Sequence, residues 1–184
     1  MGALTKPMTL EEFVAWEERQ ELRYEYDGLE IRAMTGGTAA HAGVQLGLLR
    51  ALGNRLRGKP CRVYGSELKV RTGTSVRYPD ALITCTRPEP SSTFAPEPVV
   101  VFEILSKSTA RLDLGAKNME YQSLASVRVY VVLDQSAASA QVFRRDEQGE
   151  WGYEVVGAEG TLSLPEVGVT VPLAEIYEDV ELAG

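Results

Sequence analysis

The chain has 184 residues, of which 44% are apolar and 24% charged, which is the composition of a globular domain and excludes a disordered or fibrous chain. Its net charge of −7 gives no overall attraction to nucleic acid or anionic membrane, so any such binding needs a local basic patch or cations held by carboxylates. The two cysteines, Cys61 and Cys85, and the one histidine cannot close a four-ligand zinc site of the usual kind. The expectation is two buried free thiols in a reducing cytosol. The N-terminus has no apolar signal core, and no apolar run approaches the ~18 residues of a membrane helix. A soluble, cytoplasmic protein without membrane contact is expected, with 1–184 forming a single domain.

Thr9-Leu-Glu-Glu12 has the form of a capping box, which predicts a helix to about Glu21. Asp27-Gly28 is a turn signal between Tyr24-Glu-Tyr26 and Leu29-Glu-Ile31, which predicts a hairpin. Thr38 is placed to cap a long helix that ends near Arg57, before the stop signal Gly58-Lys-Pro60. Strands are expected over Cys61–Arg71, Arg77–Cys85 and Val99–Leu105, the last almost wholly apolar and so buried on both faces. A helix over Asp113–Leu124 and a strand over Val127–Leu133 follow, and with Val99–Leu105 they make a right-handed crossover. Gln141–Arg144 and Tyr153–Val156 read as a peripheral hairpin. Short extended pieces over Leu162–Val171 and a helical turn over Leu173–Tyr177 close the chain. The order predicts an α/β fold: a mixed central β-sheet flanked by helices, with peripheral β-hairpins.

The position richest in chemical information is Glu103, inside Val99-Val-Val-Phe-Glu-Ile-Leu105. Alternation puts Val101, Glu103 and Leu105 on one face. A carboxylate in a buried strand is costly unless a partner or a metal satisfies it. Asp80 follows Pro79, which lacks a ladder donor and marks a strand end or bulge. Strands carrying Asp80 and Glu103 can pair antiparallel and place both carboxylates on one face, a hard oxygen site for Mg²⁺ or Mn²⁺. Asp113, Lys117 and Tyr121 are spaced by four and share a helix face. If the crossover lays that face on the strand, Lys117 reaches Glu103 and can orient water or stabilise charge on a phosphate.

Several of these runs occur together in one known family. Tyr78-Pro79-Asp80, Phe102-Glu103-Ile104-Leu105-Ser106-Lys107-Ser108-Thr109, Asp113-Leu114-Gly115-Ala116-Lys117, Tyr121 and Val129-Tyr130-Val131-Val132-Leu133-Asp134 resemble the Uma-two family. So do Met8-Thr-Leu-Glu-Glu-Phe13, the Tyr24-to-Gly28 turn and Met34-Thr-Gly-Gly-Thr38 with His41. These are restriction-endonuclease-like proteins of the PD-(D/E)XK nuclease superfamily, and the resemblance runs from about Met8 to Arg145. It implies a nuclease core in which Asp80 and Glu103 are the two acids of the motif. Leu105 stands where the motif's lysine belongs, and Lys117 matches the lysine displaced to the next helix, with Lys107 as its rival.

Three further residues are candidates. Glu67, on the strand before Asp80, is an accessory metal carboxylate. His41 is a phosphate contact or proton carrier, and Tyr121 a hydrogen-bond partner of a site carboxylate. The expected function is a metal-dependent endonuclease, a hydrolase of phosphodiester bonds, acting as a homodimer on nucleic acid, DNA before RNA. Arg50, Arg55, Arg57, Lys59, Arg62, Lys69 and Arg71 are the groups available for a basic patch. The alternative is a non-catalytic binding or regulatory module on the same fold, in which Asp80 and Glu103 each pair with an arginine or lysine.

Overall fold

The structure is a computed structural model that describes residues 8–106 and 110–182. Helix α1 (Leu10–Glu17) starts at the expected capping box: the Thr9 hydroxyl accepts from the Glu12 N–H, and the Glu12 carboxylate accepts from the Thr9 N–H at 2.7 Å. It stops four residues short of the predicted end. Strands β1 (Tyr24–Tyr26) and β2 (Ile31–Ala33) form the predicted hairpin, but across a four-residue loop. The reason is Asp27, whose Oδ1 accepts from the N–H groups of both Leu29 and Glu30 and so holds them out of the strand. Helix α2 (Ala39–Leu56) is capped by Thr38, which accepts from the His41 N–H.

The next two predicted strands are each divided. Cys61–Arg71 becomes β3 (Arg62–Gly65) and β4 (Val70–Arg71), and Arg77–Cys85 becomes β5 (Val76–Arg77) and β6 (Ala81–Thr84). The break at Tyr78-Pro79-Asp80 separates two sheets, as expected where proline removes a ladder donor. Strand β7 (Pro98–Leu105) follows. The predicted helix after it starts in two pieces, α3 (Ala110–Asp113) and α4 (Ala116–Gln122), parted at Leu114-Gly115. The chain then runs through β8 (Val129–Asp134), β9 (Ala140–Arg145), β10 (Trp151–Val156), β11 (Thr161–Leu164), β12 (Val169–Pro172) and α5 (Leu173–Ile176).

The main sheet has the order β10-β9-β8-β7-β6-β3, and β2-β1-β5-β4 and β11-β12 form two smaller sheets. Strands β7 and β8 are parallel, joined by the helical crossover, and β6 pairs antiparallel with β7. The β9–β10 hairpin lies at the periphery as the outer edge of the main sheet. Alternation along β7 sorts the core. Val100, Phe102 and Ile104 pack with Val44, Leu48 and Leu52 of α2, and Val101 packs on the other face with Tyr121, Tyr130 and Val132. Helix α2 also meets α5 closely: a Cβ on Gly47 would lie 2.0 Å from the Ile176 carbonyl oxygen, so only glycine fits there.

The cysteines are bonded, not free: Cys61 and Cys85 form a disulfide. Register explains it. Arg62 opposes Thr84 in the β3–β6 ladder, and one step further brings Cys61 opposite Cys85. Among the described residues no helix is long and apolar enough to cross a membrane.

Candidate active site

The β6–β7 register builds the centre. Ala81 opposes Phe102, so the next step outward sets Asp80 opposite Glu103 at the same end of the sheet. Asp80 is held by its Oδ2, which accepts from the Ile104 N–H at 2.6 Å. Its backbone carbonyl accepts from the Gln45 amide of α2 at 2.8 Å. His41, in the first turn of α2, puts Nε2 3.3 Å from the same Asp80 oxygen. The bond to Asp80 raises the His41 pKa above its ordinary value, against the opposing effect of burial.

Glu103 is 3% exposed. Its Oε1 accepts from the Lys117 ammonium at 3.0 Å and the Tyr121 phenol at 2.9 Å. Both donors come from one face of α4, as their spacing predicts. Lys117 also lies 3.3 Å from Glu25 Oε1 and 3.5 Å from Asp113 Oδ1, so one buried cation faces three buried carboxylates. Burial opposes the lysine's charge, but Glu103, Glu25 and Asp113 outweigh it and hold the ammonium protonated well above its usual range. Glu103 shifts upward too. Burial is the main cause, Lys117 pulls the other way, and Asp80, Asp113 and Glu25 add repulsion.

Glu25 is the residue that sequence reasoning missed. It stands between two tyrosines in a short hairpin, where a carboxylate ordinarily faces water, so the sequence carries no signal. In the structure it is buried: Oε1 accepts from the Tyr78 N–H at 3.0 Å, and Oε2 lies 3.4 Å from Arg77. Arg77 in turn forks onto Glu120 of α4 with two bonds of 2.7 Å. Asp113 is buried as well.

These groups open into a cavity of about 410 Å³ lined by Glu25, His41, Asp80, Glu103, Asp113 and Lys117. The remaining candidates fall elsewhere. Glu67 is not on a strand but in the turn after β3, 74% exposed and paired with Arg23. Lys107 lies outside the described residues. The proposed basic patch does not assemble. Lys69 is buried on Glu17 at 2.7 Å, Arg50 pairs with Glu178, Arg55 forks onto Glu175, and Arg71 pairs with Glu11. Lys59 and Arg62 donate to backbone carbonyls, and Arg57 to Asn54. Glu103 pairs with Lys117, as the purely structural alternative expects, but Asp80 pairs with no arginine or lysine among the described residues.

Comparison with known proteins shows the family of this chain. A family model described as "Uma2: Putative restriction endonuclease" matches residues 10–174. The chain belongs to the Uma2 family. Its similarity extends to the protein slr1290 of Synechocystis sp., 30% identical over 170 residues, which cover 91% of this chain and 90% of that one. A second protein of that organism, sll1609, is 23% identical over 154 residues, covering 81% and 87%. A crystal structure from Anabaena variabilis, titled as a putative nuclease belonging to DUF820, superposes with a TM-score of 0.76. It shares 17% identity and covers 93% of this chain and 98% of its own. That structural likeness shows a shared fold. The Uma2 core is therefore the frame on which the Asp80–Glu103–Lys117 cluster stands.

The donor set fits a hard divalent cation. Among the described residues no three histidine, cysteine or acidic side chains converge as a ready cage. Mg²⁺, however, is commonly held by one or two carboxylates with water filling the rest. Burial is the main reason the Glu103 carboxyl shifts upward, Asp80, Asp113 and Glu25 add to it, and a cation between Asp80 and Glu103 would relieve that added repulsion.

Proposed function

We propose that this protein is a nuclease that hydrolyses phosphodiester bonds of nucleic acid, DNA before RNA, with Asp80 and Glu103 holding Mg²⁺ or Mn²⁺. The observation that carries the reading is the pair of opposed carboxylates on β6 and β7, facing a cavity and served by one buried lysine. The description of the Uma2 family supports the same reaction class. A divalent cation at such a pair supplies activation of water and neutralisation of phosphate charge. The rest falls to the chain's own groups. The carboxylates of Glu103, Glu25 and Asp113 favour the charged form of Lys117. It donates to Glu103 and directs positive charge toward the space a phosphate would fill. Tyr121 fixes the Glu103 carboxylate from the same helix face. His41 sits on Asp80 at the cavity wall, where it can contact a phosphate oxygen.

The test is cleavage of mixed DNA and RNA substrates with Mg²⁺ or Mn²⁺, comparing the parent with Glu103→Gln purified identically. Metal-dependent cleavage that vanishes in the folded variant supports the reading. Absence of cleavage together with absence of calorimetric metal uptake sinks it in favour of a non-catalytic binding module.

A further inference from the structure

The face of the main sheet that carries Glu103 does not end at the cavity. Register continues it across three more strands. Glu103 opposes Val132, Val132 opposes Gln141, and Gln141 opposes Val155. Two residues back along the pleat runs a parallel row: Val101, Tyr130, Phe143, Tyr153. Helix α4 covers the start of this row, where the Tyr121 ring lies 5.2 Å from Tyr130. The row then emerges. Tyr130 meets Phe143 at 5.9 Å, and Phe143 meets Tyr153 at 5.1 Å. By then the surface is open: Tyr153 is 59% and Val155 60% exposed. With strands ~4.8 Å apart and ~3.4 Å per residue, the Tyr153 backbone stands roughly 16 Å from that of Glu103 on the same face.

Charge is sorted across this edge by strand alternation. Arg145 lies over the Trp151 ring at 4.9 Å, and exposed Arg128 extends the same side. Glu154 of β10 points to the opposite face, toward Arg144 at 3.8 Å. Arg145 is braced by the carbonyls of Gln122 and Ala125, so its guanidinium is fixed over the indole. A protein of net charge −7 therefore joins exposed Tyr153 and half-buried Phe143 and Trp151 to arginines on the uncovered end of the sheet face whose other end, beneath α4, carries Glu103. Flat rings flanked by guanidinium groups suit unpaired bases on a phosphate backbone, and stacking on them needs no particular sequence.

We propose that this open face, floored by Phe143 and Tyr153 and flanked by Trp151 under Arg145, is a stacking platform for unpaired nucleobases of the strand whose phosphate enters the cavity. The inference rests on the nuclease reading and specifies its substrate as a strand with unpaired bases near the cut.

The test is fluorescence anisotropy of an end-labelled oligo(dT) with the full chain in EDTA, so that nothing is cut. An abasic strand of equal charge serves as the control. Tyr153→Ala is expected to weaken oligo(dT) binding roughly tenfold, Tyr153→Phe to restore it, and the abasic strand to bind parent and Tyr153→Ala alike. Parent-like oligo(dT) binding by Tyr153→Ala with unchanged melting overturns the proposal. So does equal affinity of the parent for oligo(dT) and the abasic strand. A Tyr153→Ala variant that loses self-association in sedimentation but keeps its oligo(dT) affinity assigns the face to a second copy and also overturns it. Metal-dependent cleavage by the parent is scored separately. The platform failing while cleavage persists leaves the nuclease reading standing, and cleavage absent on every substrate together with absent metal uptake removes that reading instead.

Discussion

Lys117→Met removes a buried cation that faces Glu103, Glu25 and Asp113, at 3.0, 3.3 and 3.5 Å. At an effective dielectric of about 20, each contact corresponds to about 5 kcal/mol of Coulomb attraction, much of it offset by burying the ammonium. What the variant loses is the compensation of carboxylates that remain buried, for which removal of one partner costs about 3–5 kcal/mol. Methionine keeps the packing volume, so a cavity adds little. A domain of this size has about 5–15 kcal/mol of stability, so the variant folds with a large fraction of its margin gone. At a urea slope of about 2 kcal/mol/M, the midpoint falls by roughly 2 M. The loss depends on pH with a definite sign. Burial and neighbouring carboxylates already raise the Glu103 pKa, and loss of Lys117, which pulls it down, raises it further. Its neutral form stabilises the fold below the unfolded value, and that contribution disappears as pH rises through the folded one. The gap to the parent is therefore largest near about pH 7 and narrows toward about pH 5. Urea unfolding in EDTA at both pH values measures it. A difference under about 1 kcal/mol, or one equal at the two pH values, would refute the charge argument.

Divalent metal binding should release protons, because burial and neighbouring carboxylates raise the Glu103 pKa and a bound cation lowers it. Calorimetry in two buffers of different ionisation enthalpy reads the release, and identical heats contradict it. In metal-free protein, the single histidine resonance should titrate above the ordinary value near 6.5 and move back down in Asp80→Asn. The raised value stabilises the fold fully below about pH 6.5, and that contribution fades as pH rises through the higher folded value. Gly47→Ala offers about 1 kcal/mol of helix propensity but places Cβ 2.0 Å from the Ile176 carbonyl, so a clear fall in melting temperature is expected; a rise would contradict the contact. Under denaturing, non-reducing conditions no free thiol should be detected. Reduction of Cys61–Cys85, which closes a loop across 24 positions, should cost about 3 kcal/mol.

Local signals determined much of this protein by themselves. The Thr9 and Thr38 caps, the apolar β7 and β8 strands, the crossover between them, and the shared face of Lys117 and Tyr121 all follow from patterns within a few residues. They follow because capping, alternation and helical spacing act over one or two turns. That Asp80 and Glu103 belong to neighbouring antiparallel strands was also legible, since one apolar run and one proline bound the possible register. Tertiary structure alone decided the rest. Burial of Glu25 depends on β1 pairing with β5, a contact between strands some 50 positions apart. The basic cluster dispersed because distant acids such as Glu17, Glu175 and Glu178 took its members one by one. The disulfide followed from β3–β6 register, not from cysteine spacing. In each case the deciding partner lay far along the chain, where local physical signals carry no information about which groups folding brings within contact distance.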